Sequence, residues 1–151
     1  MDYLPIFFQI KSRPCLVVGA GSVAARKVAL LLKANARVKV VSPQACDEVV
    51  QLAEQGEIEF EQRGFEDADL EHCVAVIAAT DEQSVNERVS ELAHKARVPG
   101  NVVDNTSLCS FIMPSIIDRS PMVIAVSTGG SSPVLARLIR TKLEGSIPAA
   151  Y

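Results

Sequence analysis

Cys15-Leu-Val-Val-Gly-Ala-Gly-Ser-Val-Ala24 is the stretch on which the fold turns. Its first four residues are apolar and rich in β-branched side chains, which suits a strand buried on both faces of a sheet. Gly19 and Gly21 interrupt that run, and a helical pattern then continues to about Lys33. A strand, a glycine turn and a helix in immediate succession open a βαβ unit.

The same alternation recurs on the C-terminal side. Val38-Lys-Val-Val41 reads as a second strand, ended by Ser42-Pro43, and Cys46 to Gln55 as a helix stopped by Gly56. Ile58-Glu-Phe60 is expected to form a short strand and Val74 to Ala79 a buried one. A helix follows with Val85, Val89, Leu92 and Ala96 on one face, then a short strand at Val102-Val103. Strands and helices alternating at this spacing predict a doubly wound α/β domain, a Rossmann-type parallel sheet with right-handed crossovers, over residues 1–110. After about Ser110 the pattern changes. Phe111-Ile-Met113 and Met122 to Val126 read as strands with no helix between them, and a helix starting at Pro133 runs to about Glu144. Its apolar side chains Val134, Leu135, Leu138, Ile139 and Leu143 make one stripe, so residues 111–151 form a short strand-and-helix segment.

Composition narrows the partners. With 48% hydrophobic and 22% charged residues the chain is expected to be globular rather than disordered, and a net charge of −3 recommends no nucleic-acid partner. Residues 111–151 hold four basic and two acidic side chains, against eleven and sixteen before them. The acid is densest between Asp47 and Glu71, where Arg63 is the single base, and that stretch reads as a solvated face. Met1 to Pro5 lacks the basic start of a secretory signal, and the longest uncharged run, Ser120 to Ala136, is broken by prolines and glycines, so no membrane span is expected. The four cysteines form no Cys-x-x-Cys pair or Cys/His cluster, which argues against a structural metal site. Cys15 and Cys73 read as reduced core residues, and the cytoplasm is the expected compartment.

Ligands of open α/β sheets bind outside the carboxyl ends of the strands. The residues to question are therefore Gly19–Ser22, Ser42–Gln44, Thr80-Asp81 and Asp104-Asn105. Gly19-x-Gly21-x-x-Ala24 is a dinucleotide fingerprint in its G-x-G-x-x-A form. Gly19 permits the tight turn, Gly21 lets backbone approach a pyrophosphate, and the helix start at Ser22-Val23 offers N–H groups. Strand two ends in Ser42, where an acidic residue would ordinarily hold the ribose hydroxyls, and Arg37 precedes that strand rather than ending it. We therefore expect NAD rather than NADP, with Ser42, Pro43 and Gln44 holding the adenosine and Thr80 beside the cofactor. Asp104 follows the fifth strand, where a carboxylate can be a general base or transiently hold a cation; it can equally be turn chemistry, since Asp-Asn is common in turns. His72 and His94 are poorly placed for catalysis. In Ser127-Thr-Gly-Gly-Ser-Ser-Pro133, Ser132 is the N-cap and Pro133 the first helical residue. The same loop can serve as an anion site through Ser127, Thr128, Gly129 and Ser132, with Arg137 and Arg140 behind it.

Several blocks resemble the amino-terminal module of the siroheme synthase family: Met1 to Phe7, Gly19-Ala-Gly21 with Ala25-Arg-Lys27, Ala78-Ala-Thr-Asp81, Asn101-Val-Val-Asp104, Phe111 to Pro121 and Ser127 to Arg137. The resemblance covers nearly the whole chain. It implies NAD-dependent oxidation of precorrin-2 to sirohydrochlorin, followed by insertion of Fe2+ as substrate to give siroheme. Asp104 would be the catalytic residue of both steps. The segment after Phe111 would form a homodimer and help wall the cleft, with Ser127, Thr128, Gly129, Ser132 and Arg137 toward the tetrapyrrole's carboxylates. Two other readings stand beside it: a module that senses NAD without chemistry, and a dehydrogenase without chelatase activity. The family's module continues into further helices, so a fragment is expected here.

Overall fold

The computed structural model describes residues 1–149. By internal contacts the chain divides into two compact units, Ile6–Phe111 and a smaller one made of Met1–Pro5 with Ile112 onward. The larger unit contains β1 (Pro14–Val18), α1 (Ser22–Lys33), β2 (Arg37–Val41), α2 (Asp47–Glu54), β3 (Glu59–Glu61), β4 (Ala75–Ala78), α3 (Gln83–Ala96) and β5 (Gly100–Val102). All five strands run parallel in the order β3-β2-β1-β4-β5. The chain winds outward from β1 to β3, returns to the other side of β1 and continues to β5. This is a Rossmann-like sheet whose order reverses between β1 and β4.

Burial follows the pleat. Leu16 and Val18 of β1, Val76 and Ala78 of β4 and Val41 of β2 share one cluster with Val89 and Ala93 of α3. The alternate residues Val17, Val40 and Ile77 are also almost fully buried, so the strands are covered on both faces. On α1 the buried positions Ala24, Ala25, Val28 and Leu31 recur at three- and four-residue steps, which is what turns that helix onto the sheet. The edge strand β3 is protected by its charged residues Glu59 and Glu61. On α3 the buried residue of the last turn is Ala93; Ala96, expected on the inner face, is exposed.

Most acids of the stretch from Asp47 to Glu71 are exposed, as a solvated face requires, and the departure is at Asp69. Asp69 lies at only 6% exposure, and its carboxylate accepts hydrogen bonds from both terminal nitrogens of Arg63 (2.9 and 2.7 Å), from Lys39 Nζ (3.3 Å) and from the Glu66 backbone N–H (2.9 Å). Lys39 also meets Glu61 at 2.8 Å. The single base of the stretch therefore folds inward onto one of its acids, because a buried carboxylate requires compensation. Burial pushes the Asp69 carboxyl up, but the bonds from Arg63, the Glu66 N–H and Lys39 outweigh it and hold the group at about 2.

The smaller unit is an antiparallel hairpin of β6 (Ser115–Arg119) and β7 (Met122–Val126), followed by α4 (Pro133–Ser146). The strand expected at Phe111-Ile-Met113 is absent, and Ser115–Arg119 takes its place. Two local causes account for the shift. The Phe111 carbonyl is held by Asn101 Nδ2 at 3.0 Å, and Pro114, which has no N–H, separates Met113 from the pairing register that begins at Ser115 with Val126.

Candidate active site

Strand register places the site residues in one row. Val41, Val18, Ala78 and Val102 are mutual partners across β2, β1, β4 and β5. The residues that follow them, Ser42, Gly19, Ala79 and Val103, therefore line the carboxyl edge in that order, with Asp104 one step beyond. Neighbouring strands lie about 4.8 Å apart, so β1 and β5 are separated by roughly 10 Å along the edge. Backbone bonds stitch the edge together: Gly19 N–H to the Val41 carbonyl (2.9 Å), Ala79 N–H to Val18 (2.8 Å), Val103 N–H to Ala78 (3.0 Å) and Cys46 N–H to Ala20 (2.8 Å).

The two fingerprint glycines have different reasons to be glycine. Gly19 sits at φ +110°, and a Cβ there would lie 2.5 Å from the Ala79 carbonyl oxygen. It is required by the turn itself. Gly21, at φ −82° and ψ −171°, has backbone open to any residue, and a Cβ there would meet nothing within 4 Å. What its bareness preserves is open space in front of α1. That helix has no side-chain cap at Gly21 and no acidic residue in its first turn, so the N–H groups of Ser22 and Val23 face a space a pyrophosphate can fill. The residues present thus fit a dinucleotide.

Ser42 is nearly buried, and its hydroxyl donates to the Gln44 carbonyl at 2.7 Å while Pro43 accepts from Gln62 Nε2 at 3.3 Å. Lys39 on β2 and Arg63 just after β3 are engaged by Glu61 and Asp69, and Arg37, at the opposite end of β2, donates to the Ser12 carbonyl at 3.0 Å. Thr80 is fixed by a residue the sequence reading missed. Asn86 of α3 accepts from the Thr80 backbone N–H (3.3 Å) and hydroxyl (2.7 Å), and its Nδ2 donates to the Thr80 carbonyl (3.0 Å). An Asn six residues after a strand-end Thr is a usable signal only once the loop's shape is known.

Asp104 is exposed, with φ +62°, a left-handed conformation that Asp tolerates better than most residues. It is not the cap of the 3-10 turn at Thr106–Leu108; that position belongs to Asn105. Among the described residues its carboxylate caps no backbone N–H. His72 and His94 are exposed, before β4 and on the last turn of α3 respectively. No group of three or more His, Cys, Asp or Glu suited to a metal ion occurs among the described residues.

The loop from Ser127 to Ser132 belongs to the smaller unit and is internally bonded. Ser127 Oγ accepts from Gly129 N–H (3.1 Å), Thr128 Oγ1 from Ser132 N–H (2.9 Å) and Ser132 Oγ from Leu135 N–H (3.2 Å). The N-cap role of Ser132 is thus in place. The Ser131 hydroxyl is spent on the Thr128 carbonyl (2.7 Å), while those of Ser127, Thr128 and Ser132 accept and keep a proton to donate. Arg137 is exposed on the first turns of α4.

A family model described as "Putative NAD(P)-binding" matches residues 6–115. The chain belongs to that family. A second model, described as "Sirohaem biosynthesis protein central", matches residues 119–146. The whole chain is 59% identical to the siroheme synthase of Thioalkalivibrio sulfidiphilus over 151 residues, which are 31% of that protein. It is 56% identical over 155 residues to the siroheme synthase of Nitrosospira multiformis, covering 33% of it. The chain thus spans about a third of the length of these relatives. Among solved structures, the precorrin-2 dehydrogenase SirC superposes with a TM-score of 0.83 over 99% of this chain and 73% of that one, at 24% identity. The D-lactate dehydrogenase of Escherichia coli superposes at 0.50 over 68% of this chain. These likenesses are of fold. No helix among the described residues is long and apolar enough to cross a membrane.

Proposed function

We propose that this chain is the part of a siroheme-forming enzyme that oxidises precorrin-2 to sirohydrochlorin with NAD+ and then assists insertion of Fe2+. The observation that carries the reading is the shared edge: a bare helix start at Gly21–Val23 and an uncapped carboxylate at Asp104 follow strands of one parallel sheet. The whole-length identity to siroheme synthases points it at a tetrapyrrole.

Bound NAD+ would supply a hydride acceptor. Gly19 shapes the turn, Gly21 leaves room for the pyrophosphate, and the N–H groups of Ser22 and Val23 face it. Ser42, Pro43 and Gln44 stand on the β2 side for the adenosine, and Thr80, held by Asn86, on the β4 side. NAD is favoured over NADP because Lys39 and Arg63 are already committed to carboxylates. Asp104 lies on the β5 side, toward the nicotinamide end. Hydride loss from the substrate must be matched by proton loss, and metal insertion displaces pyrrole N–H protons, so one carboxylate can serve both steps. The loop of Ser127, Thr128, Gly129 and Ser132, with Arg137, would bind the substrate's carboxylates, and the segment from residue 111 would form a homodimer in the cytoplasm.

NADH formation on adding precorrin-2 to the full-length protein, wild type against Asp104→Asn, tests the reading. Asp104→Asn keeps shape but cannot take a proton, and both reactions should slow roughly a hundredfold or more. Full activity in that variant would remove Asp104 as the base. Loss of dehydrogenation alone would leave a dehydrogenase whose chelation, if any, uses another group. Binding of NAD+ with no turnover of wild type would favour a sensing module.

A further inference from the structure

The edge strand β5 raises a question of hydrogen-bond accounting. Along a parallel strand alternate residues direct their N–H and C=O to opposite sides, and β5 has a neighbour, β4, on one side only. Gly100 and Val102 are the residues of β5 that address the open side. A sixth strand would satisfy them in a longer sheet; here Cys109 and Ser110 do so. Ser110 Oγ accepts from Gly100 N–H at 2.8 Å while Ser110 N–H donates to the Gly100 carbonyl at 2.8 Å. Cys109 Sγ accepts from Val102 N–H at 3.1 Å, and its S–H is shared between the carbonyls of Val102 and Asn105, both at 3.2 Å.

Those three contacts enclose Val103 and Asp104 between their anchored neighbours. Asn105 N–H closes the same turn onto the Val102 carbonyl at 3.2 Å. Such a clamp favours the φ of +62° at Asp104, a sparsely populated conformation for a residue with a side chain. We propose that Cys109 is a positioning residue: its thiol fixes the Val102–Asn105 turn and thereby the direction of the Asp104 carboxylate. The inference rests on the reading of Asp104 as the base. Burial pushes the Cys109 thiol's pKa up, so it stays protonated and keeps both donor and acceptor capacity.

The test compares Cys109→Ala, Cys109→Val and Cys109→Ser in the full-length protein, beside Asp104→Asn. Cys109→Ala and Cys109→Val remove the hydrogen bonds, the second while keeping bulk; Cys109→Ser restores a donor and an acceptor. Both apolar variants should lower kcat for precorrin-2 oxidation roughly tenfold, a cost typical of a catalytic group slightly misplaced. Cys109→Ser should recover most of that rate, and NAD+ affinity by calorimetry should stay within about twofold, since the Gly19–Val23 turn is untouched. A thiol that only fills space gives the opposite ranking, Cys109→Val near wild type and Cys109→Ser no better than Cys109→Ala, and that ranking overturns the proposal. Wild-type kcat in Cys109→Ala overturns it too. If Cys109→Ala does not fold, the near-isosteric pair Cys109→Ser and Cys109→Val decides alone. Full activity in Asp104→Asn would instead sink the reading of Asp104, whereas a slow Asp104→Asn beside fast Cys109 variants sinks only this inference.

Discussion

At the scale of single residues, the glycine turn separates two demands that a motif runs together. Gly19 answers to the chain and Gly21, on the proposed reading, to a ligand, so the two are expected to respond to substitution in different ways. Gly19→Ala should destabilise the fold by about 2 kcal/mol or more, because its Cβ collides with the Ala79 carbonyl at a positive φ. Chemical denaturation would register this as a lower midpoint with an unchanged slope. Gly21→Val should leave that midpoint nearly untouched and weaken NAD+ binding at least about tenfold by calorimetry, because the side chain fills space the protein itself leaves open. Unchanged affinity in Gly21→Val would remove the dinucleotide from this turn. Both glycines were legible in the sequence, since a strand and a helix flank them. Their separate roles were legible too, a tight turn at Gly19 and backbone approach at Gly21; what was not is the Ala79 carbonyl that a Cβ at Gly19 would meet, because that depends on where β4 ends. Asn86 and Cys109 stayed hidden because each matters through backbone atoms six or seven residues back, which only the shape of the intervening loop brings within reach.

At the scale of elements, strands buried on both faces announced themselves as unbroken apolar runs, and β1, β2 and β4 were found within a residue or so of their ends. Misreadings fell where polar chemistry replaced periodicity, at the clasp of Ser110 and Phe111 that displaced a strand to Ser115 and at the buried Asp69. The Asp69 network carries a pH dependence of definite sign. Its folded-state pKa, about 2, lies below the ordinary value of 3.8, so its contribution is complete above about pH 4 and lost as pH falls toward 2. A shift of this size corresponds to about 2–3 kcal/mol. Asp69→Asn should therefore lower stability by roughly that amount at pH 7, and the gap to wild type should narrow between pH 4 and 2. Equal pH dependence of the two unfolding curves would show that Asp69 contributes no such linkage.

At the scale of the whole molecule, the smaller unit packs its helix through the more polar face. Helix α4 lies against β6 and β7 through the face that holds its one buried residue, Ala136, with Arg140 and Glu144 spaced by four along it and Glu144 paired to Arg119 at 3.4 Å. The apolar stripe points outward instead: Leu138 is 63% exposed, Val134 58% and Leu135 47%, with Ile139 and Leu143 close behind. A helix of fourteen residues is about 21 Å long, so the stripe offers a continuous apolar strip that an isolated chain in water has no reason to keep. The occupant that costs the fewest assumptions is the same strip on a second copy, since a twofold axis pairs a surface with itself. The protein should therefore sediment as a dimer at micromolar concentration. Leu138→Asp places a charge at the most exposed point of the stripe, on the side of the helix opposite the buried Ala136, so it should shift the protein toward monomer while the Rossmann-like unit keeps its NAD+ affinity. A wild-type protein that is folded and monomeric under those conditions would rule out the dimer, and a dimer indifferent to Leu138→Asp would place its interface elsewhere.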